Sequence, residues 1–385
     1  MEEHLSFMDS QDKEKKVFLR RIVNTIFIML GHECNLNCKY CLQHPMVHNQ
    51  ISHKINPDIY DFIEQVVNEN ENKQLRLQFF GGEATLFWKN IQEIVAEVEK
   101  RALNISWAIM SNGKLINQEM VDFFNEHKFW VCVSYDGYNV ETTRNYNPFG
   151  NEEHKKLLFQ INELGLSAVL SAYNSPKQIC AAFQELSDEY QKIHGYPLYM
   201  NIDDIFDTGG LSKDLLNIDY NTVSKEISEM TKEFLEDHTK AEVPHEHLAR
   251  NVYINTIYSF LRGFYSSYWY KEKFILCNCQ NGLSTLNLGI DGTLYPCHNT
   301  SESCGNIYMP YFQYLEKLMK FDDTRRHYEE ECKDCIALAY CHCGCKMVKD
   351  KERKESYCKL KRAIFVPILS LVQNFKEENY KKDES

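Results

Sequence analysis

Six short apolar runs recur along the first two-thirds of the chain: "NTIFIML" (24–30), "LRLQFF" (75–80), "ISWAIM" (105–110), "FWVCVS" (129–134), "LSAVLSA" (166–172) and "LYMNID" (198–203). Longer amphipathic stretches such as "PDIYDFIEQVVNEN", "NIQEIVAEVEKRA" and "NQEMVDFFNEH" lie between them. An unbroken apolar run of strand length is buried on both faces, which calls for a parallel sheet covered by helices. Strand–helix alternation at this spacing leaves an α/β sheet, open or closed into a barrel. Functional groups in such folds sit where strands end and loops begin.

The loop after the first run reads "GHECNLNCKYC" (31–41), with Cys34, Cys38 and Cys41 inside eight residues. Three thiols are one short of a closed four-ligand metal site, and a disulfide would leave one over. The chain has fifteen cysteines, and ten of them fall between 277 and 358. The first residues, "MEEHLSFMDSQDKEKKVF", are polar and acidic rather than a signal peptide, and no apolar run approaches membrane-span length. The expected compartment is therefore the cytoplasm, where dense cysteines are metal ligands rather than disulfides. Cys132 and Cys180 stand alone and read as buried thiols. A net charge of −12 argues against a nucleic-acid partner, which would need a basic surface.

Thiolates at spacings of four and three residues can converge on one iron–sulfur cluster or zinc. Half of a zinc ribbon would need a second CxxC nearby, and none occurs between 41 and 132. With only three protein ligands, a four-iron cluster keeps one iron open for a substrate or cofactor.

Cys34-x3-Cys38-x2-Cys41, with Tyr40 before the third cysteine, resembles the signature of the radical S-adenosylmethionine (SAM) superfamily. The resemblance implies a partial (β/α)6 TIM-type barrel and a [4Fe–4S] cluster whose open iron chelates SAM. Electron transfer to SAM then yields a 5′-deoxyadenosyl radical that abstracts hydrogen. Gly81-Gly82-Glu83 ends the second strand and resembles the family's GGE, where the carboxylate contacts the SAM amino group. "MSNG" (110–113), carrying Ser111 and Asn112, resembles TNG at the third strand. "VSYDGYNVETTRNY" resembles the stretch in which Ser134 and Arg144 would contact the SAM ribose or carboxylate, with Asp136 shaping the turn.

Downstream, Gly292-x4-Cys297 and Cys332-x2-Cys335-x5-Cys341-x3-Cys345, closed by Cys358, resemble a SPASM domain, which in full form holds two auxiliary [4Fe–4S] clusters. Resemblance to anaerobic sulfatase-maturating enzymes implies that Cys332, Cys335, Cys341 and Cys358 hold the outer cluster. Cys297 and Cys345 would serve the inner one, with Cys277 and Cys279 upstream. That pair is a tight CxC, which leaves a second reading in which the inner cluster has three thiolates and an open iron. Cys304 and Cys343 are left over, though either could substitute. A pair of structural zinc sites is the competing reading of these thiols.

The expected organisation is a lead (1–22), the barrel (23–215), a helical linker (216–270), the cysteine-rich domain (271–360) and a C-terminal helix and tail (361–385). The lead is too short for the leader-recognition domain of some peptide maturases. The tyrosine-rich stretch at 251–270 reads as an amphipathic linker helix, and "AIFVPILSLVQNF" as a helix with Pro367 near its start, followed by a frayed tail. Asp203, Asp204 and Asp207 end the sixth strand and could include a general base, though turn roles fit them as well.

The full cysteine set favours oxidation of a peptide or protein substrate, as in formylglycine formation or peptide maturation, fed by a flavodoxin- or ferredoxin-type electron donor. The alternatives are a radical SAM dehydrogenase acting on a small molecule and a non-catalytic metal-binding adaptor. The adaptor leaves the three-thiol loop and GGE unexplained.

Overall fold

A computed structural model of the chain describes residues 23–43, 46, 54–238, 245–270, 284–321 and 328–383. Cys277 and Cys279 lie outside these residues. Strands β1 (Thr25–Met29), β2 (Leu75–Phe80), β3 (Ile105–Ser111), β4 (Trp130–Ser134), β5 (Glu163–Leu170) and β6 (Tyr199–Asp204) pair in sequence order, every one parallel to the next. Helices return the chain between them: α1 (Asp58–Glu69), α2 (Trp88–Lys100), α3 (Gln118–Glu126), α4 (Val140–Arg144), α5 (Glu152–Leu158) and α6 (Pro176–His194). This is the expected α/β arrangement of a partial barrel.

Alternation along β1 explains the packing. Ile26, Ile28 and Leu30 are fully buried in one core with Ile59, Ile63 and Val66 of α1, while Phe27 is only half-buried on the other face. Caps mark the helix ends where the sequence supplies them. Ser175 accepts the Gln178 N–H at the start of α6, Pro176 occupies the first turn, and Gly195 ends the helix in a left-handed conformation.

Four features depart from the sequence expectation. Strand β5 begins at Glu163, ahead of the apolar run, because Gly165 lets the indole of Trp130 lie against its backbone. The cysteine-rich region is not a separate layer. Strand β7 (Thr285–Gly289) pairs parallel with β1 on the side away from β2, and β8 (Thr293–Tyr295) and β9 (Gly305–Asn306) extend the same sheet antiparallel. Gly292 turns between β7 and β8 at φ +90°, a conformation that favours glycine.

Helix α8 (Leu248–Tyr270) does more than link. Ala249, Tyr253, Ile254 and Ile257 are buried, and the helix packs on α6, β6 and α7 (Tyr220–Asp237). After α9 (Tyr311–Phe321), the final helix α10 runs from Lys351 to Asp383, so Pro367 lies inside it and the segment expected to fray is helical. An internal proline costs about 3 kcal/mol. Burial of Ile364, Phe365, Ile368 and Leu369 around it offsets that loss. Among the described residues no helix is long and apolar enough to cross a membrane.

Candidate functional site

The loop after β1 is pinned to the end of every strand from β2 to β4. Its first residues continue the pairing with β2: Leu30 N–H donates to the Phe80 carbonyl, Gly82 N–H to Gly31 (3.0 Å) and Glu83 N–H to Glu33 (2.8 Å). A Cβ on Gly81 would lie 2.6 Å from the Gly31 oxygen, and one on Gly82 would lie 2.3 Å from the oxygens of both His32 and Glu33. The two glycines are thus required by the cysteine loop's own backbone.

Glu83 is buried and ties this crossing to β3. Its Oε1 accepts from Ser111 Oγ (2.7 Å), Thr85 Oγ1 (2.6 Å) and Thr85 N–H (3.1 Å), while Oε2 accepts from Asn112 N–H (2.7 Å). Asn112 in turn donates through Nδ2 to Asn35 Oδ1 (2.7 Å), inside the cysteine loop.

Asp136, fully buried after β4, organises the far end. Arg144 brings Nη2 and Nε each to 3.0 Å from its two carboxylate oxygens, and Thr143 Oγ1 donates at 2.6 Å. Val169 N–H donates at 3.0 Å, and the Tyr40 hydroxyl donates as well. The Arg144 guanidinium also lies over the Tyr40 ring, 5.2 Å from its centre. Two backbone contacts complete the grip: Lys39 N–H to the Thr143 carbonyl (2.9 Å), and Asn145 Nδ2 to the Asn37 carbonyl (2.8 Å). Ser134 is half-buried at the end of β4, in register with Ser167 of β5. The structure therefore brings Tyr40, Gly81, Gly82, Glu83, Ser111, Asn112 and Arg144 together around one loop. Thr85 is a hub that the sequence reading did not single out, and Asp136, expected there only to shape the turn, is a second. Asp136-Gly137 reads as an ordinary turn, and only the Asp136–Thr143–Arg144 spacing across a short helix hints otherwise.

Hydrogen-bond polarity sorts the cysteines. A backbone N–H can only donate, so a sulfur that receives one is acting as acceptor. Cys297 receives the N–H of Asn299 (3.4 Å) and Cys345 that of Met347 (3.4 Å), each two residues on. Such bonds suit thiolates bound to iron and tune cluster potential. Cys304 and Cys180 also donate, to the carbonyls of Leu294 (3.4 Å) and Ala249 (3.9 Å), as buried thiols do. Both CxxC pairs close with an i to i+3 bond: Cys41 N–H to Cys38 (3.1 Å) and Cys335 N–H to Cys332 (3.0 Å). Burial pushes the Cys38 thiol up to about 12 and raises that of Cys34, so iron must displace protons when it binds.

A cavity of about 240 Å³ in the C-terminal region is lined by Cys332, Cys335, Cys341, Cys343, Cys345 and Cys358. Among the described residues no three Cys, His, Asp or Glu side chains converge as a single metal ion requires. Cys297 does not line this cavity. The neighbouring His298 stacks on Phe27 and meets Phe80 edge-on, each 4.6 Å between centres, and its carbonyl accepts from Gln43 Nε2 (2.9 Å). Burial pushes the His298 imidazole down to about 4.

The three aspartates at the end of β6 and just beyond it divide the roles foreseen for them. Asp207 Oδ1 caps a turn through Gly209 N–H (2.7 Å), and its Oδ2 meets Arg353. Asp204 is buried against Lys361 Nζ (2.5 Å) and the Tyr340 hydroxyl (3.1 Å), joining β6 to α10. Asp203 lines a cavity of about 260 Å³ beside β6, α8 and Lys361; its side chain reaches solvent, and its crowded surroundings, with Asp204 alongside, raise its carboxyl.

The radical SAM superfamily profile matches residues 28–178, which include the three-cysteine loop and everything that pins it. The radical SAM cyclopropyl synthase TigE of Paramaledivibacter caminithermalis is 27% identical over 168 residues, covering 40% of this chain and 35% of that enzyme. The chain thus spans about a third of that relative's length. The cysteine-type anaerobic sulfatase-maturating enzyme of Clostridium novyi is 23% identical over 365 residues, covering 82% of this chain and 86% of that enzyme. Among solved structures, native anSMEcpe with bound AdoMet and Cp18Cys peptide superposes with a TM-score of 0.62 at 20% identity, covering 91% of this chain and 99% of that one. The signature loop and the parallel strands β2 to β5 fall inside this match, so residues 28–178 carry a radical SAM domain.

Proposed function

We propose that the enzyme modifies a peptide or protein side chain, using a SAM-binding [4Fe–4S] cluster on Cys34, Cys38 and Cys41 and two auxiliary clusters in the C-terminal region. The observation that carries this reading is the pinned three-thiol loop after β1, together with a cysteine-lined cavity in the C-terminal region. Similarity across most of the chain to sulfatase-maturating enzymes, one of them solved with a peptide, supports the substrate class. When bound, the cluster and SAM supply a 5′-deoxyadenosyl radical that takes a hydrogen atom from the substrate.

The chain's own residues orient and wire that chemistry. Glu83 Oε1 is taken up by Thr85 and Ser111, while Oε2, with one donor in place from Asn112, keeps a lone pair for the SAM ammonium. Gly81 and Gly82 let the cluster loop cross β2. Ser111, Asn112, Tyr40 and Arg144 hold the loop in place, and Ser134 offers a hydroxyl to the ribose. Cys332, Cys335, Cys341 and Cys358 hold the outer auxiliary cluster. Cys297 and Cys345 serve the inner one, completed by Cys277 and Cys279. Auxiliary clusters accept the electron that a substrate radical must lose on oxidation, and a flavodoxin- or ferredoxin-type protein supplies electrons to SAM.

The test is anaerobic reconstitution, reduction, and incubation with SAM and a peptide deuterated at the Cβ of its cysteine or serine. Deuterium in the 5′-deoxyadenosine and an oxidised peptide are expected. An iron-loaded, reduced enzyme that leaves SAM intact would overturn the reading.

A further inference from the structure

The cavity at β6 has a polar lining that the radical chemistry above does not use. Strand β6 stands at the end of the sheet order, and α8 packs against it. The cavity, about 260 Å³, lies between β6, α6, α8 and the C-terminal residues Tyr340 and Lys361. Among the described residues β6 has no strand beyond it, so side chains from both of its faces reach this space, Asp203 from one and Asp204 from the other. Because β6 runs parallel to β5 and the strands before it, these two aspartates stand at the same rim of the sheet as the cysteine loop.

Asp204 is only half used. Its Oδ2 takes both Lys361 Nζ (2.5 Å) and the Tyr340 hydroxyl (3.1 Å). Its Oδ1 is buried with no hydrogen-bond partner among the described residues. The same holds for the hydroxyl of Tyr253 on α8, a residue only 6% exposed. Both residues line the cavity, yet they are not bonded to each other. Buried polar atoms left in this way cost free energy unless a ligand or water joins them. Lys361 is already engaged, since besides Asp204 it lies over the rings of Tyr340 (4.2 Å) and Tyr357 (5.3 Å). Asp203, its side chain open to solvent, adds an acceptor at the mouth. Two carboxylates against one ammonium leave the cavity with an excess negative charge.

Phe183, Met200 and Ile257 give the cavity an apolar wall. Free acceptors, an apolar wall and excess negative charge together suit a primary ammonium on an alkyl stem. A metal ion is not matched, because among the described residues no third acidic, His or Cys side chain joins the two aspartates. A guanidinium pairs best with both oxygens of one carboxylate, and Asp204 has only Oδ1 to give. We infer that this cavity receives the ammonium of a lysine side chain of the substrate peptide, held by Asp203, Asp204 Oδ1 and Tyr253 Oη. These residues then select and seat the substrate and take no part in bond breaking. The inference rests on the peptide reading above.

Ligand-detected NMR on the full chain, reconstituted anaerobically, tests this with three probes. They are Nα-acetyl-lysine N-methylamide, the norleucine analogue that keeps the stem without the ammonium, and the arginine analogue. No SAM or reductant is present, so binding can hold where the radical reading fails and fail where that reading holds. Saturable binding of the lysine probe is expected, with the norleucine probe about tenfold weaker and the arginine probe in between. Tyr253→Phe removes only the hydroxyl and is expected to weaken the lysine probe about fivefold while leaving the norleucine probe unchanged. Asp203→Asn is expected to do the same. A cavity that holds only water predicts no preference among the probes, and that outcome overturns the inference. So does the absence of lysine-probe binding, a tighter arginine probe, or a lysine affinity that either variant leaves unmoved.

Discussion

Arg144 meets Asp136 through two nitrogens, Nε and Nη2, each 3.0 Å from a different carboxylate oxygen and both groups buried. The pair sits beneath the cysteine loop, because Tyr40 donates to the same carboxylate and Thr143 bonds both Asp136 and the backbone of Lys39. Breaking a buried ion pair on one side costs about 3–5 kcal/mol, since the other charge stays buried alone. Asp136→Asn is therefore expected to destabilise the domain by that amount in urea titration. It should also loosen the loop enough to weaken cluster uptake, read as iron per chain. A loss below about 1 kcal/mol would mean that the pair is not what holds the loop.

Gly82 faces two carbonyl oxygens at the distance where a side chain cannot sit. Backbone offers little give, so Gly82→Ala is expected to cost about 1–3 kcal/mol and displace the loop. The check is the cluster absorbance after reconstitution, which should fall sharply while the far-ultraviolet circular dichroism of the barrel persists. Wild-type absorbance in this variant would place the crossing elsewhere.

Cys297 and Cys304 stand seven residues apart and differ in which way their hydrogen bonds run. Cys304→Ala is expected to lose a bond worth about 1 kcal/mol and no iron. Cys297→Ala is expected to lose auxiliary-cluster iron. Metal analysis of the two side by side decides, and equal losses would break the distinction drawn from bond polarity.

Asp203 carries a carboxyl whose affinity for protons is raised by its surroundings, Asp204 among them. A raised carboxyl stabilises the fold at low pH and loses that contribution as pH climbs from the unfolded value, about 3.9, through the folded one. Asp203→Asn is thus expected to melt at a higher temperature than the wild type at pH 7, with the gap closing below about pH 4. A variant that melts lower at pH 7 would show that the carboxylate is held by a partner in the fold. A group kept at a cost to stability in a cavity beside the sheet edge suits substrate handling.

What the sequence made legible was what is local or periodic. Strands β1 to β4 and β6 lie within about a residue of their apolar runs, because burial on both faces demands continuous hydrophobicity. The cysteine spacings carry their own geometry, as the closed turns at Cys38–Cys41 and Cys332–Cys335 illustrate. What depends on distant residues was hidden. Nothing in "GGE" says that its glycines face the carbonyls of residues 31–33, and nothing in "SYDG" says that its aspartate collects donors from Tyr40, Thr143, Arg144 and Val169. The pairing of β7 with β1 joins residues some 260 positions apart, beyond the reach of pattern. Cys304 and Cys343 look alike as surplus thiols in sequence and separate only once their surroundings are known.

That pairing of β7 with β1 bears on electron flow. Tunnelling rates fall exponentially with the gap between donor and acceptor, so a gap set by a docking equilibrium would make each turnover wait for a rare close approach. Here Cys34 follows β1, Cys297 follows the β7–β8 hairpin, and His298 is wedged against Phe27 and Phe80 while Gln43 holds its carbonyl. In the proposed enzyme the spacing between the two ends would be fixed by the hydrogen-bond ladder of a single sheet, a soldered circuit rather than a switch.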